Sequence, residues 1–274
     1  MVSFSTQVPR YGEALRISPQ VTCVLADNPS PMTGRGTNSY VVGAPGGNTL
    51  VIDPGPPLPA HHAALESHGT PQAIVLSHSH FDHSESAPAL AEKWGVPIYA
   101  MDSSYLRDTE PIVDGLVIEH GGVSIRAVHT PGHTPDSVSL AVDADRVLLT
   151  GDTILGDGST ALLHPEGSLG DYFRTLELLE AFEGWVLAPG HGSVGAEVSR
   201  EALQRAAHRQ ERLSQVREQA ALLGFDLERG DPETMPEADF ERLFEHTYPE
   251  LDGMRGRAAR RTLRAQLLYL ARGL

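Results

Sequence analysis

Short apolar and β-branched runs recur along the first two-thirds of the chain, at Ser39–Val42, Thr49–Ile52, Ala73–Leu76, Val96–Ala100, Val123–Val128, Ser137–Val142, Arg146–Leu149 and Trp185–Ala188. Each has the length of a strand and ends at Gly, Pro, Asn or Asp. Ala44–Gly47, an Ala-Pro-Gly-Gly sequence between two such runs, predicts a hairpin turn. Helical stretches at Pro59–His68 and Ser86–Trp94 interleave with the strands, so residues 1 to about 195 read as an α/β body with helices covering a sheet. Ser168-x-x-Asp171 has the form of a helix N-terminal capping box. After Val198 the period changes. Leu203, Ala206, Ala207, Gln210, Leu213 and Val216 mark one helix face, and Gly224, Gly230–Pro232 and Pro249 divide the remainder into about three helices. The predicted division is therefore 1–197 for the α/β domain and 198–274 for a helical appendage.

At 274 residues the chain can bury a large core without cross-links, and its single cysteine, Cys23, excludes a disulfide framework. Cys23 reads as a small core residue rather than a nucleophile. No run of 18 apolar residues suggests a membrane span, and the N-terminal residues lack the pattern of an export signal, so the expected location is the cytoplasm with no membrane partner. Asp and Glu number 36 against 21 Lys and Arg, a net charge of −15. Such a body repels nucleic acid at long range but welcomes metal ions, which neutralise nearby carboxylates.

The strongest chemical signal is Ser77-His78-Ser79-His80-Phe81-Asp82-His83, directly after the run Ala73–Leu76. Imidazole and carboxylate suit Zn, Fe or Mn. Along an extended loop, His78 and His80 fall on one side, and Asp82 and His83 can turn toward a second ion. Three further strand ends repeat the design: Thr130-Pro131-Gly132-His133-Thr134, Thr150-Gly151-Asp152-Thr153 and Ala188-Pro189-Gly190-His191-Gly192. Each places one ligand-type residue on a glycine-containing turn, where α/β folds build sites. His61, His62, His68, His120, His208 and His246 read as ordinary surface residues, and His129 and His164 as non-ligating. Asp53 reads equally as an acceptor for a ligating histidine or as a turn former before Pro54-Gly55. Thr37 and Asn38 are expected to hold the neighbouring loop through side-chain hydrogen bonds.

The order His78-x-His80-x-Asp82-His83, His133, Asp152, His191 resembles the metallo-β-lactamase superfamily over roughly residues 20–195. The resemblance implies an αββα sandwich carrying two zinc ions, with iron or manganese as alternatives. It assigns His78, His80 and His133 to one ion, Asp82, His83 and His191 to the other, and Asp152 to both. Asp82 and Asp152 are then the catalytic carboxylates. Asn28–Met32, Gly36–Tyr40, Val51–Gly55, Thr153–Gly156 and Asp171-Tyr172 are similar to the lactamase-β-2-like branch, whose tail is winged-helix-like. Ser84-Glu85-Ser86 departs from the small glycines usual after the first motif.

The implied function is a dinuclear hydrolase that uses a metal-bridging hydroxide on a small-molecule ester, thioester or lactone. One alternative is a phosphodiesterase or endoribonuclease on single-stranded RNA, contacted through the C-terminal Arg255, Arg257, Arg260, Arg261, Arg264 and Arg272. The other is a mononuclear iron persulfide dioxygenase, against which the second ligand set argues. The absence of an export signal and the bridging position of Asp152 argue against an antibiotic-resistance β-lactamase.

Overall fold

The structure is a computed structural model that describes residues 4–227, 234–249, 251 and 253–272. It divides into two compact units. The first comprises Met1–Thr130, Asp136–Thr160 and Ala181–Glu201; the second comprises Pro131–Pro135, Ala161–Glu180 and Ala202–Leu274.

The first unit holds two sheets. One has six strands in the sequential order β1 (Ala14–Arg16), β2 (Val21–Leu25), β3 (Asn38–Val42), β4 (Asn48–Ile52), β5 (Thr70–Val75) and β6 (Ile98–Tyr99). The first three pairings are antiparallel, and β4–β5 and β5–β6 are parallel. The other sheet runs β11 (Val186–Pro189), β10 (Val147–Gly151), β9 (Val138–Val142), β8 (Val123–His129), β7 (Val117–His120), with only β10–β11 parallel.

Alternation along each strand explains why the runs read as continuously apolar. Val21, Cys23, Tyr40, Val42, Leu50, Ile52, Ala73 and Val75 point from the six-stranded sheet into a core shared with Ile125, Ala127, Leu140, Val142, Val147 and Leu149 of the other. The intervening residues Val24, Val41 and Val51 pack on Leu65 of α1 (Pro59–Glu66). Ile74 and Leu76 pack on Ala87, Leu90 and Ala91, which belong to α3 (Ala87–Trp94). A strand covered on both faces has no polar side, and each buried Val, Leu or Ile contributes roughly 1.5–3 kcal/mol.

Every strand predicted from the sequence forms, with shifted ends. Val96–Ala100 contracts to Ile98–Tyr99 because Pro97 cannot donate to a ladder. Strands β1, β2 and β7 are additions to the sequence reading; β1 and β7 are short outer strands with polar neighbours, Glu13, Arg16 and Glu119.

In the second unit, Ser168 caps α4 (Leu169–Leu179): its Oγ accepts from the backbone N of Asp171 at 3.3 Å, as the capping sequence predicts. Three helices follow the sheets: α5 (Val198–Leu223), whose first four residues belong to the first unit, α6 (Glu237–Thr247) and α7 (Gly253–Ala271). Among the described residues no strand follows β11. The predicted boundary at 197/198 marks the start of α5, while the second unit also draws residues 131–135 and 161–180 from the α/β body. Gly230–Pro232 lie outside the described residues.

The buried face of α5 differs from the expected one. Ala202, Arg209, Leu213, Val216 and Ala220 are buried, whereas Leu203 is 53% exposed. Arg209 takes a core position because its guanidinium lies 5.4 Å above the Tyr172 ring while its stem packs as an apolar group. No described helix is long and apolar enough to cross a membrane.

Candidate metal centre

The motif that begins at Ser77 leaves β5 and turns. His80 ends the extended segment, and Phe81–Ser84 form one helical turn, α2, so only the first half of the expected extended loop is extended. The helical turn brings Asp82 and His83 to His191, and the His83 ring also lies 4.3 Å from that of His78. Ser84 ties the turn back through its Oγ, which donates to the carbonyls of Ser79 at 2.9 Å and His80 at 3.0 Å. Serine at the departure from the usual small glycines therefore serves the local fold.

The first unit contains six of the seven candidate ligands, on strand-end turns and on α2. His83 Nε2 lies 3.3 Å from His191 Nε2, 3.4 Å from Asp82 Oδ2 and 3.5 Å from Asp152 Oδ1. His191 Nε2 lies 3.1 Å from Asp82 Oδ2 and 3.4 Å from Asp152 Oδ1. His78 Nε2 lies 3.1 Å from His80 Nδ1. Asp82, His83 and His191 form one candidate metal-holding group, and His78, His83 and Asp152 another.

The outer hydrogen bonds decide what the inner nitrogens offer. Asp53 Oδ1 accepts from the Ser77 backbone N at 2.7 Å, and Oδ2 accepts from Ser77 Oγ at 2.6 Å and His83 Nδ1 at 2.9 Å. Since Ser77 Oγ donates its proton to Asp53, it accepts from His78 Nδ1 at 3.0 Å. His191 Nδ1 donates to the Gly36 carbonyl at 3.0 Å. His133 lies in the second unit, where its Nδ1 donates to the Ala161 carbonyl at 2.8 Å. Because each outer partner is an acceptor, the neutral form of each ring carries its proton on Nδ1 and presents Nε2 as the acceptor. Asp53 thus acts on two candidate ligands, in addition to adopting the left-handed φ of 49° expected of a turn.

Glycine permits this closeness. A Cβ on Gly190 would stand 2.5 Å from Asp152 Oδ1 and 2.7 Å from His83 Cε1. Asn38 fastens the same turn: its Nδ2 donates to the carbonyls of Pro189 at 2.9 Å and Gly192 at 3.0 Å. Thr37 acts by its side chain, accepting from Asn28 Nδ2 at 3.0 Å and lying 3.4 Å from Asp82 Oδ2.

Electrostatics agree with a cation site. Burial alone raises a carboxyl, yet His83 and His191 hold Asp82 down at about 2. Burial alone lowers an imidazole, yet Asp152 and Asp82 push His191 up to about 10, and His83 well above its ordinary value. Without an ion, protons on His83 and His191 balance the two carboxylates, and a divalent cation would take the place of those protons. The donor set, imidazole nitrogen and carboxylate oxygen with the rings held through Nδ1, fits a divalent metal.

The sequence profile of the metallo-beta-lactamase superfamily matches residues 32–191, more than half of the chain. The chain belongs to the metallo-beta-lactamase superfamily. It is 30% identical over 214 residues to the beta-lactamase-like protein 2 homolog of Caenorhabditis elegans, covering 73% of this chain and 71% of that one. This agrees with the branch that the sequence resembles. It is 32% identical over 199 residues to the atrochrysone carboxyl ACP thioesterase of Aspergillus terreus, covering 70% and 60%. The chain spans about 60% of the length of several such relatives. Among solved structures, a metallo-beta-lactamase family protein from Thermus thermophilus superposes with a TM-score of 0.71 at 22% identity, over 93% of this chain and 94% of that one. This likeness shows the superfamily's fold.

Two contributors escaped the sequence reading. Asp157 accepts from the Ser193 backbone N at 3.2 Å and from Ser193 Oγ at 3.0 Å, fixing the segment after His191. No motif marks it. His61, expected on the surface, is only 5% exposed; its Nε2 lies 2.8 Å from Ser39 Oγ. It sits on the inner face of α1, where a helix of mixed polarity gave no periodic signal. Of the other histidines expected at the surface, His62 bonds Ser86 Oγ at 2.8 Å and His120 bonds Tyr99 Oη at 2.8 Å.

Proposed function

We propose that the chain is a metal-dependent hydrolase that cleaves a small ester, thioester or lactone with two divalent ions, zinc foremost. His78, His80 and His133 hold one ion, Asp82, His83 and His191 the other, and Asp152 serves both. The observation that carries this reading is the pair of histidines held through Nδ1, His83 and His191, whose Nε2 atoms face the carboxylates of Asp82 and Asp152. When bound, such ions polarise a carbonyl and bring the pKa of water toward neutrality. The protein's own part is orientation. Asp53 holds His83 directly and His78 through Ser77, Gly36 holds His191, and Ala161 holds His133. The Asp82 side chain is 28% exposed against 13% for Asp152, so substrate approaches from the Asp82 side. Phe81, 75% exposed and adjacent to Asp82, offers that approach an apolar surface. The thioesterase named among the relatives supports acyl transfer to water as the reaction.

Metal analysis of the purified protein tests the reading together with a substrate panel: a glutathione thioester, a lactone, nitrocefin, bis(p-nitrophenyl) phosphate and single-stranded RNA. About two ions per chain and chelator-sensitive cleavage of the thioester or lactone are expected. Fewer than one ion, with activity persisting in chelator, overturns it. Chelator-sensitive cleavage confined to RNA or the phosphodiester transfers the function to phosphoryl chemistry. Nitrocefin turnover near 10² per second, roughly the pace of a competent enzyme, identifies a β-lactamase instead.

A further inference from the structure

The turn that carries His191 is held from two sides. On one side Asn38 reaches it from β3, through the carbonyls of Pro189 and Gly192. On the other lies the loop that leaves β10, and that loop opens with Asp152. Gly156 N donates to the His191 carbonyl at 2.9 Å. One residue on, Asp157 Oδ2 accepts from Ser193 N at 3.2 Å, and Oδ1 accepts from Ser193 Oγ at 3.0 Å. The two segments also meet backbone to backbone. A Cβ on Gly156 would stand 2.0 Å from the Ser193 carbonyl oxygen, and one on Gly192 would stand 2.6 Å from Asp157 N. The far end of the loop returns to its start, where Thr160 Oγ1 donates to the carbonyls of Asp152 at 2.9 Å and Thr153 at 3.1 Å.

Asp157 is exposed, whereas Ser193 is buried. An exposed carboxylate that leaves water for a serine amide and hydroxyl exchanges one set of hydrogen bonds for another, so its net contribution to stability is small. What it fixes is geometry. Gly156 and Gly158 flank it, and backbone at glycine has the most freedom to lose. A bidentate carboxylate between two such residues gives the loop a defined place against the turn.

We infer that Asp157 is a positioning residue that acts through Ser193 to set the His191 ring against Asp152. Asp152 opens the loop, His191 lies two residues before Ser193, and their facing atoms are 3.4 Å apart. The tie makes one unit of two groups that sit 39 residues apart in the chain, at 152 and 191. Its consequence for hydrolysis rests on the metal reading above. Ligands must stand within about 0.5 Å of their working positions, so a loosened His191 weakens chiefly the ion it shares with Asp82 and His83.

Zinc titrations of the full chain against a chromogenic chelator read that consequence. Asp157→Ala should hold one of two ions about tenfold less tightly, the low end for a partner outside the ligands. Ser193→Ala keeps the carboxylate, removes one donor, and should shift affinity the same way by less. The double variant should be no weaker than Asp157→Ala, because both changes break one tie. Asp157→Asn, which keeps one acceptor oxygen and drops the charge, should recover part of the loss. Equal losses in Asp157→Asn and Asp157→Ala, with none in Ser193→Ala, would assign the effect to charge and overturn the inference. The metal-free chain gives an independent readout. In chelator, exchange of the His191 Nδ1 proton, held by the Gly36 carbonyl, is followed by ¹⁵N NMR together with that of the Ser193 amide. Both should speed up several-fold in Asp157→Ala. Faster exchange in a chain whose parent binds fewer than two ions supports the positioning role while the two-ion reading falls. An unchanged His191 exchange rate overturns the positioning role whatever metal the chain binds.

Discussion

The metal centre and the C-terminal helices handle charge in opposite ways. Around His83 and His191, groups able to hold a metal converge: two carboxylates and two imidazole nitrogens lie within 3.5 Å of one another. Between α6 and α7, charges of opposite sign alternate. Arg260 forks onto Glu241 at 2.8 and 2.7 Å and lies 4.0 Å from the Phe244 ring centre. Arg264 meets Glu237 at 2.7 Å and lies 4.1 Å from that of Phe240. Arg261 Nε donates to the His164 carbonyl at 2.7 Å. The second region is complete in itself, whereas the first needs something from outside. Three of the six arginines expected to serve RNA are thus already engaged in holding their own unit together.

The largest effect should come from the convergent region. Asp152→Ala should lower hydrolysis by about 10³-fold or more and reduce bound metal below two ions per chain. The sharper result concerns the metal-free state: in chelator at neutral pH the variant should melt lower than the parent, because Asp152 is the first charge that holds His191 up at about 10 and its loss leaves a buried imidazolium with one partner fewer. An unchanged melting point would mean that the carboxylates and imidazoles of the centre do not pair without an ion, which would sharpen the contrast with the helices.

Next comes His61, a buried imidazole whose pKa is lowered to about 4. The unfolded chain binds a proton near 6.5 while the folded ring stays neutral, so stability is fully present above about 6.5 and declines as pH falls toward 4. The decline attributable to this group is up to about 3 kcal/mol. Denaturant titrations at stepped pH should show a shallower slope in His61→Gln. Equal slopes would mean the ring is not held neutral.

Asp53→Asn should reduce metal affinity by about 10–100-fold while leaving the ligands in place. Competition with a chromogenic chelator measures it, and unchanged affinity would remove Asp53 from the centre. The smallest effects belong to α7. Arg260→Ala should cost about 1 kcal/mol, and exposed Arg257→Ala less than about 0.5 kcal/mol. If RNA does bind, Arg257→Ala should flatten the salt dependence of log affinity by about 0.7 per lost phosphate contact. Chemical denaturation and salt-stepped binding check both.

The fold was legible because strands such as Val138–Val142 are covered on both faces, leaving an apolar run that composition alone exposes. The grouping of Asp82 and His83 with His191, and of His78 and His83 with Asp152, was legible because these residues lie on short motifs at strand ends. Asp53 left two readings open in the sequence, and the structure supports both: it turns the chain and anchors His83. The role of Asp157 depends on a loop meeting Ser193, and no local pattern encodes such a meeting. Arg209 defeated the periodic reading of α5 because polarity scales score its head and ignore its stem. His61 was missed for the converse reason: a short helix of low amphipathicity does not announce which of two adjacent histidines turns inward.

The centre also has a history in time. His83 and His191 are 108 residues apart in the chain, and Asn38 fastens to carbonyls 151 and 154 residues downstream. At a synthesis rate of about 5–20 residues per second, the first ligand cluster emerges roughly 5–20 s before its closing partner exists. During that interval the first histidines form an open, incomplete claw, exposed to whatever cations the cell supplies. A slowed ribosome anywhere between the two motifs would lengthen that exposure without altering a single atom of the finished protein.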